Sequence, residues 1–213
     1  MDNFIKFLLE LGKLKKTART GWKIREVENA ESVADHTFRL TILAWLLPQI
    51  KKYDLDYDKV LKMSLIHELA GIYAGDITPY DDLLTNSKEK NQEILAKWPR
   101  RAKEDKEKLS KDRYHKEREG VEKLLSLLPK NESEVLFEMW EEFEKGVSRE
   151  ARFVRQIDML ETLLQALEYE EKGTLLSVKA FWEQNKELID DPVLLEFMEE
   201  MDQYFYVKHK ADK

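Results

Sequence analysis

Apolar residues recur at spacings of three and four along most of the chain, a pattern that predicts α-helices. A first helix is predicted over residues 3–16, and a second follows Ser32 and runs to about Lys51. The apolar positions of the second helix cover two sides, with Ala34, Phe38, Thr41, Ile42 and Trp45 on one and Val33, Leu40, Ala44 and Leu47 on the other. A helix that is apolar nearly all round is expected to be central and buried.

A third predicted helix begins between Asp54 and Asp58 and delivers the pair His67-Glu68. Its pattern stops at Gly75-Asp76, with Pro79 beyond. Gly71 then falls inside the predicted helix, where glycine costs about 1 kcal/mol relative to alanine. The glycine therefore indicates a close approach of another chain segment, a fraying helix end, or the replacement of a side chain.

The last part of the chain contains two clear helical patterns. Residues 149–171 carry an apolar stripe at near-ideal spacing, and Asp191-Pro192 is a typical cap and first-turn pair for the final helix. Together with the helical patterns before them, they predict an all-α protein.

The segment 82–118 differs from the rest because charged residues dominate it. Trp98-Pro99-Arg100-Arg101 is predicted to break it in two. One interpretation is a solvated helical excursion. The alternative is a lid that brings basic residues such as Arg100, Arg101 or Lys103 over an anionic substrate.

Composition narrows the class of protein. The 213 residues are 42% hydrophobic and 37% charged, with seven glycines and five prolines, which suits one large helical domain. A net charge of -7 argues against binding to a nucleic acid polymer. Without cysteine, disulfides, thiolate metal sites and cysteine nucleophiles are excluded. No apolar stretch reaches membrane-spanning length and no targeting segment is visible, so we expect a soluble cytoplasmic protein without a membrane partner.

Histidine and carboxylate residues occur on three separate predicted core helices: His36, His67 with Glu68, and Asp158. Each also has a purely structural interpretation. His36 fits a buried histidine bonded to a carbonyl, His67-Glu68 fits a surface pair, and Asp158 fits a salt bridge to Arg155 or another basic residue. The functional interpretation is a divalent metal site, since imidazole and carboxylate ligands suit Mn, Co, Fe, Ni or Zn, with Mg also compatible.

Arg19 and Trp22 lie in a predicted loop or short extended segment after the first helix. They are suited to bind an anion and to stack on a base, although a structural tryptophan beside a solvated arginine fits the same residues. Of the remaining histidines, His115 lies in the charged segment and is interpreted as a surface residue, and His209 lies in a Lys-rich tail that is expected to be disordered.

Several blocks in order carry a resemblance to a known family: Arg19-Thr20-Gly21-Trp22, Glu31-Ser32-Val33-Ala34-Asp35-His36, Gly75-Asp76-Ile77-Thr78-Pro79 and Phe153-Val154-Arg155-Gln156-Ile157-Asp158. The chain resembles the HD-domain metal-dependent phosphohydrolases, and within them the small 5'-deoxynucleotidase branch. The similarity covers about residues 5–80 and 114–185. It implies a single HD domain over residues 1–213, an all-α helical bundle in which 82–113 is a charged helical insertion.

The resemblance also implies roles for particular residues. His36, His67, Glu68 and Asp158 match the metal ligands, with Glu68 where the family normally has aspartate. Arg19, Trp22, Asp76 and Ile77 match substrate-binding positions. Asp76 and Glu68 are the implied catalytic carboxylates. The implied reaction is hydrolysis of deoxynucleoside 5'-monophosphates with a divalent metal, and the implied assembly is a homodimer.

Gly71 departs from the family pattern, because the family usually has a catalytic glutamate there. We expect its absence to cost about 10²–10⁴-fold in rate, and Gly71→Glu to restore turnover. The alternative functions are a nucleotide- and metal-binding protein with weak or lost catalysis, or a hydrolase of nucleoside triphosphates or other phosphate esters. A third class of function is a helical protein-interaction module without a metal or substrate site.

Overall fold

The computed structural model describes residues 1–175 and 177–208, so His209 lies outside the described residues. Within these ranges the fold is all-α, as predicted, with no β-sheet and one isolated bridge between Ala18 and Ser32. The α-helices are α1 (Asp2–Leu11), α2 (Thr20–Lys23), α3 (Val33–Ile50), α4 (Tyr57–Ile66), α5 (Gly71–Ala74), α6 (Lys88–Leu95), α7 (Lys103–Leu125), α8 (Lys130–Lys145), α9 (Arg149–Glu171), α10 (Lys179–Leu188) and α11 (Pro192–Asp202). A 3₁₀ helix, Gly12–Lys15, and a π-helix, Gln203–Lys208, complete the order.

Helix α9 is the centre of the fold and has the predicted bounds. Its N-terminus is capped by Ser148, whose hydroxyl accepts the N–H of Ala151. Helices α3, α4, α8, α10 and α11 pack around it. Phe153, Ile157 and Leu160 of its apolar stripe are fully buried. Helix α9 therefore contributes more than one face to the main core and holds Asp158 near its middle.

Helix α3 begins with a capping box, as the sequence predicts. The Ser32 hydroxyl accepts the N–H of Asp35, and the Asp35 carboxylate accepts the N–H of Ser32. This cap places His36 in the first turns of the helix, against α9. The prediction that α3 is buried nearly all round is wrong, because Phe38 is 70% and Trp45 44% exposed.

The predicted third helix is interrupted at His67 and Glu68, between α4 and α5. Helix α4 ends at Ile66, and α5 begins at Gly71 after a four-residue turn. Gly71 therefore lies at the start of a short helix and not in the interior of a long one, which corrects the sequence-based prediction. The break leaves His67 and Glu68 beyond the end of α4.

The charged segment forms α6 and the first half of α7, separated at Trp98–Arg101 as predicted. The C-terminal half of α7 packs on α5 and contributes Val121, Leu124 and Leu125 to a second hydrophobic cluster with Phe7 and Trp140. The structure thus joins the charged segment to the turn that carries His67 and Glu68. Among the described residues, no helix has the length and apolar character needed to span a membrane.

Candidate active site

Four of the predicted site residues come together although three different parts of the fold supply them. His36 belongs to α3, His67 and Glu68 to the turn after α4, and Asp158 to the middle of α9. One nitrogen or oxygen of each lies within 4.8 Å of the corresponding atoms of the others. The packing of α3 and α4 against α9 therefore creates a compact group of two imidazoles and two carboxylates.

His36 is fully buried and is held from behind by Glu161. Its Nδ1 contacts the Glu161 carboxylate, which also accepts a 2.7 Å hydrogen bond from Nε of Arg39. Its Nε2 faces the group and lies 3.1 Å from Oδ1 of Asp158. Burial and the Arg19 charge oppose protonation, but the carboxylates of Glu161 and Asp158 outweigh them and raise the His36 pKa to about 10.

His67 is buried and has the opposite electrostatic balance. Its Nδ1 donates a 2.7 Å hydrogen bond to the carbonyl oxygen of Ser64, so its Nε2 presents a lone pair to the group. The two Nε2 atoms of His67 and His36 are 3.4 Å apart. Burial lowers the pKa of His67, and Glu68 opposes this shift. A neutral imidazole whose Nε2 lone pair points toward the group is suited to bind a metal ion.

The group fits a divalent metal ion by its own chemistry. In metal-binding histidines the N–H of the ring nitrogen that does not bind the metal typically donates to a carboxylate or a carbonyl. Nδ1 of His36 has the Glu161 carboxylate as its partner, and Nδ1 of His67 has the Ser64 carbonyl. In addition, Oδ1 of Asp158 is buried and accepts no hydrogen bond among the described residues. Burial opposes its charge, but His36 and Arg19 keep the Asp158 pKa well below its usual range, so this oxygen is ionised and available.

Arg19 bridges the acidic side of the group. Its guanidinium donates to Glu68 and to Oδ1 of Asp76 at 3.3 Å, and lies 3.8 Å from Oδ1 of Asp158. Asp76 also accepts the backbone N–H of Thr20. Burial raises the pKa of Asp76, whereas the Arg19 charge opposes this shift. Arg19 is thus fixed between the candidate metal ligands and the predicted substrate-binding carboxylate.

His67, Glu68, Asp158 and Arg19 line one cavity of about 520 Å³. His36 does not line it but contacts Asp158, which does. Asp76 and Ile77, both predicted to bind substrate, line it as well. The lining includes the basic side chains of Arg113, Lys145, Arg152 and Arg155. It also includes the apolar side chains of Pro79, Trp98, Phe143 and Met159. The cavity therefore offers both cationic and apolar partners to a ligand.

Trp22 does not take the position predicted for it. The indole is 1% exposed and packs in the core, 5.2 Å from Tyr169 and 5.1 Å from Phe181 between ring centroids. Its Nε1 donates a 2.9 Å hydrogen bond to Glu31. Contact with a nucleoside is not supported, because this tryptophan is enclosed by protein; Trp98 is the tryptophan that lines the cavity.

The basic residues proposed for a lid are also placed elsewhere. Arg101 donates to Asp82 and to the carbonyl of Pro79, and Lys103 is an exposed side chain beside Glu107. Instead, the charged segment contributes Trp98, Arg113 and Glu117 to the cavity. Sequence reasoning missed Glu117 and Glu161, because in helices rich in charge no local signal distinguishes a cavity-facing glutamate from a solvated one.

Comparison with known proteins agrees with this geometry. Residues 11–193 match the family model described as HD domain. The chain is 36% identical over 169 residues to the Xenopus laevis protein named 5'-deoxynucleotidase HDDC2, covering 79% of this chain and 70% of that protein. It is 34% identical to the Homo sapiens protein of the same name, with 79% and 69% covered. A solved structure of a conserved hypothetical protein from Pyrococcus furiosus superposes with a TM-score of 0.68 at 27% identity, covering 93% of this chain and 99% of that one.

Proposed function

The chain belongs to the HD domain family, and on this premise we propose that it hydrolyses deoxynucleoside 5'-monophosphates to deoxynucleoside and phosphate with a divalent metal ion. The relatives in Xenopus laevis and Homo sapiens are named 5'-deoxynucleotidases. One observation carries the proposal: two imidazoles, each anchored through Nδ1, and two carboxylates meet at the end of one cavity.

His36, His67, Glu68 and Asp158 are the proposed ligands of the metal. When bound, a divalent ion acidifies coordinated water and neutralises phosphate charge. The mixed nitrogen and oxygen donors suit Mn, Co, Fe, Ni or Zn, with Mg the hardest of the candidates. Glu161 and the carbonyl of Ser64 hold the two imidazoles in the orientation that the site requires.

The cavity supports a nucleotide as the substrate. Its volume of about 520 Å³ lies in the usual range for small-molecule sites. Arg19 is already at the metal-binding end, where it is proposed to hold the phosphate, and Asp76 is proposed to orient water or the leaving oxygen beside it. We propose that Trp98 and Ile77 face the nucleoside, since both line the cavity.

A phosphate-release screen tests the proposal. Deoxynucleoside monophosphates, the matching ribonucleotides and a deoxynucleoside triphosphate are each incubated with the protein and added Mn, Co or Mg. We expect metal-dependent release from the deoxynucleoside monophosphates, and Asp158→Asn should abolish it. Release from the triphosphate alone would favour the alternative hydrolase, whereas nucleotide binding without release would favour the binding protein that Gly71 suggests.

We also propose that the protein is a homodimer that associates through the exposed face of α3. Phe38, Ile42 and Trp45 lie on one side of α3 and are 37–70% exposed, whereas Ile50 at its end is 72% and Leu65 of α4 is 54% exposed. Contiguous apolar side chains exposed on a surface typically mark an interaction site. Light scattering should give twice the 25.4 kDa chain mass, and Trp45→Glu should reduce it to one chain. Val147→Glu, at an exposed position away from α3, is the matched control.

A further inference from the structure

Glu117 reaches the candidate active site because α7 approaches α5 unusually closely. At the contact, a Cβ atom on Gly120 would lie only 3.0 Å from the carbonyl oxygen of Ala70. A glycine at this position therefore permits the approach. Glu117 lies three residues earlier on the same helix face, and its side chain lines the cavity together with Glu68 and Gly71.

The Glu117 carboxylate is poorly paired for a buried group. Its side chain is 15% exposed, and Oε2 is buried without a hydrogen bond among the described residues. Arg113 Nε lies 3.3 Å from Oε2, but the Arg113 guanidinium also donates to Glu144 of α8. Burial raises the pKa of Glu117 to about 7, with Arg113 opposing the shift and Glu144 and Glu68 adding to it.

The other carboxylates that line the cavity are committed to partners. Glu68 and Asp158 belong to the proposed metal ligands, Asp76 is bonded to Arg19 and to the N–H of Thr20, and Glu144 accepts a hydrogen bond from Arg113. Gly71 contributes no side chain, although a Cβ atom there would meet only Oε2 of Glu68, at 3.7 Å. Glu117 and Glu144 share Arg113, but only Glu117 of this pair has a buried oxygen that accepts no hydrogen bond among the described residues. Glu117 is thus the carboxylate of this cavity that is available to accept a proton.

We propose that Glu117 accepts the proton of the attacking water during hydrolysis of the phosphate ester, an inference that rests on the proposed function. In this step the water oxygen forms a bond to phosphorus and the bond from phosphorus to the 5'-oxygen breaks. One water proton moves to Glu117, and the leaving 5'-oxygen takes a proton from solvent. Glu117 then returns its proton to solvent before the next turnover.

The charged groups that affect Glu117 most are Arg113 on its own helix, Glu144 of α8, Glu68 of the turn and Arg155 of α9. In Glu117→Gln the shape of the side chain is kept and the proton acceptor is lost. We expect kcat to fall about 10²–10⁴-fold, with KM and bound metal unchanged. Glu117→Asp should retain more activity than Glu117→Gln because it keeps the carboxylate.

The matched control is Glu119→Gln, which removes an exposed carboxylate from the same helix and should leave kcat as it is. The pH dependence provides a second readout. In the natural chain kcat should rise with pH through about 7. In Glu117→Gln this rise of kcat with pH should disappear. Circular dichroism and metal analysis of each variant verify that the fold and the metal site are intact.

The outcomes separate this inference from the proposed function. If the natural chain releases no phosphate from any deoxynucleotide with any of the metals, the proposed function fails. If the natural chain is active and folded Glu117→Gln keeps its kcat within about threefold, the proposed function stands and the role of Glu117 is overturned. A loss of metal from Glu117→Gln would also overturn it, because the residue would then support the metal site.

Discussion

Replacing Glu117 by glutamine should stabilise the protein at neutral and alkaline pH. The glutamate pKa is about 7 in the folded protein, compared with an ordinary value of 4.5. A pKa increase of this size corresponds to roughly 3 kcal/mol of unfavourable charge burial at high pH. Because 15% of the side chain is exposed, solvent screening reduces this effect, and we expect about 1–3 kcal/mol.

The sign of the effect follows from proton binding. Between pH 4.5 and 7 the folded protein holds a proton on Glu117 that the unfolded chain has released, so the free energy of unfolding falls as pH rises. Glutamine cannot titrate, so the Glu117→Gln protein does not lose this part of its free energy of unfolding as pH rises. The stability advantage of Glu117→Gln should therefore be small near pH 5, grow through pH 7, and remain constant above about pH 8.

Thermal and urea unfolding of the metal-free protein at pH 5, 6, 7 and 8 measure this effect. For a chain of this size, each kcal/mol shifts Tm by about 2–4 °C. Glu119→Gln is again the control, since its exposed carboxylate should show no such trend. A Glu117→Gln protein that is less stable than the natural chain at pH 8 would refute the reasoning, because it would mean that the pair with Arg113 stabilises an ionised Glu117.

Further predictions concern the metal site and Gly71. His67→Ala should lose bound metal and phosphatase activity, whereas His115→Ala should keep both; equal metal content by elemental analysis would contradict the ligand assignment. Because the pKa of His36 is about 10 without metal, metal binding at pH 7 should release a proton and tighten as pH rises toward 9. Calorimetry in buffers of different ionisation enthalpy measures this release, and identical heats in all buffers would disprove it. Gly71→Glu should raise kcat more in the Glu117→Gln background than in the natural chain, since both carboxylates would face one cavity; no gain in that background would count against the shared role.

Local patterns were sufficient for several helices. The bounds of α9, the capping box of α3 and the start of α11 after Asp191 all follow from apolar spacing and capping chemistry, which act within a few residues. The candidate metal ligands could also be named, because imidazoles and carboxylates on core helices need a partner. Residue spacing does not reveal how far apart those helices pack.

Errors arose where burial depends on neighbouring elements. The pattern of α3 predicted burial all round, but no other described element covers Phe38 and Trp45. Trp22 was predicted to contact a nucleoside, yet Tyr169 and Phe181 enclose it. Gly71 appeared to lie inside a helix, whereas the chain turns before it. In each case a local pattern fits two environments, and the packing of distant residues decides between them.

The sequence by itself therefore determined the all-α class, the bounds of several helices and the types of ligand available for a metal. Only the tertiary structure decided which side chains share the cavity. Hydrogen bonding within helices and apolar periodicity are short-range effects, whereas the approach of α7 to α5 depends on the contact between Gly120 and Ala70. That long-range contact brings Glu117, one of several glutamates in a charged helix, to the cavity that Glu68 and Asp158 also line.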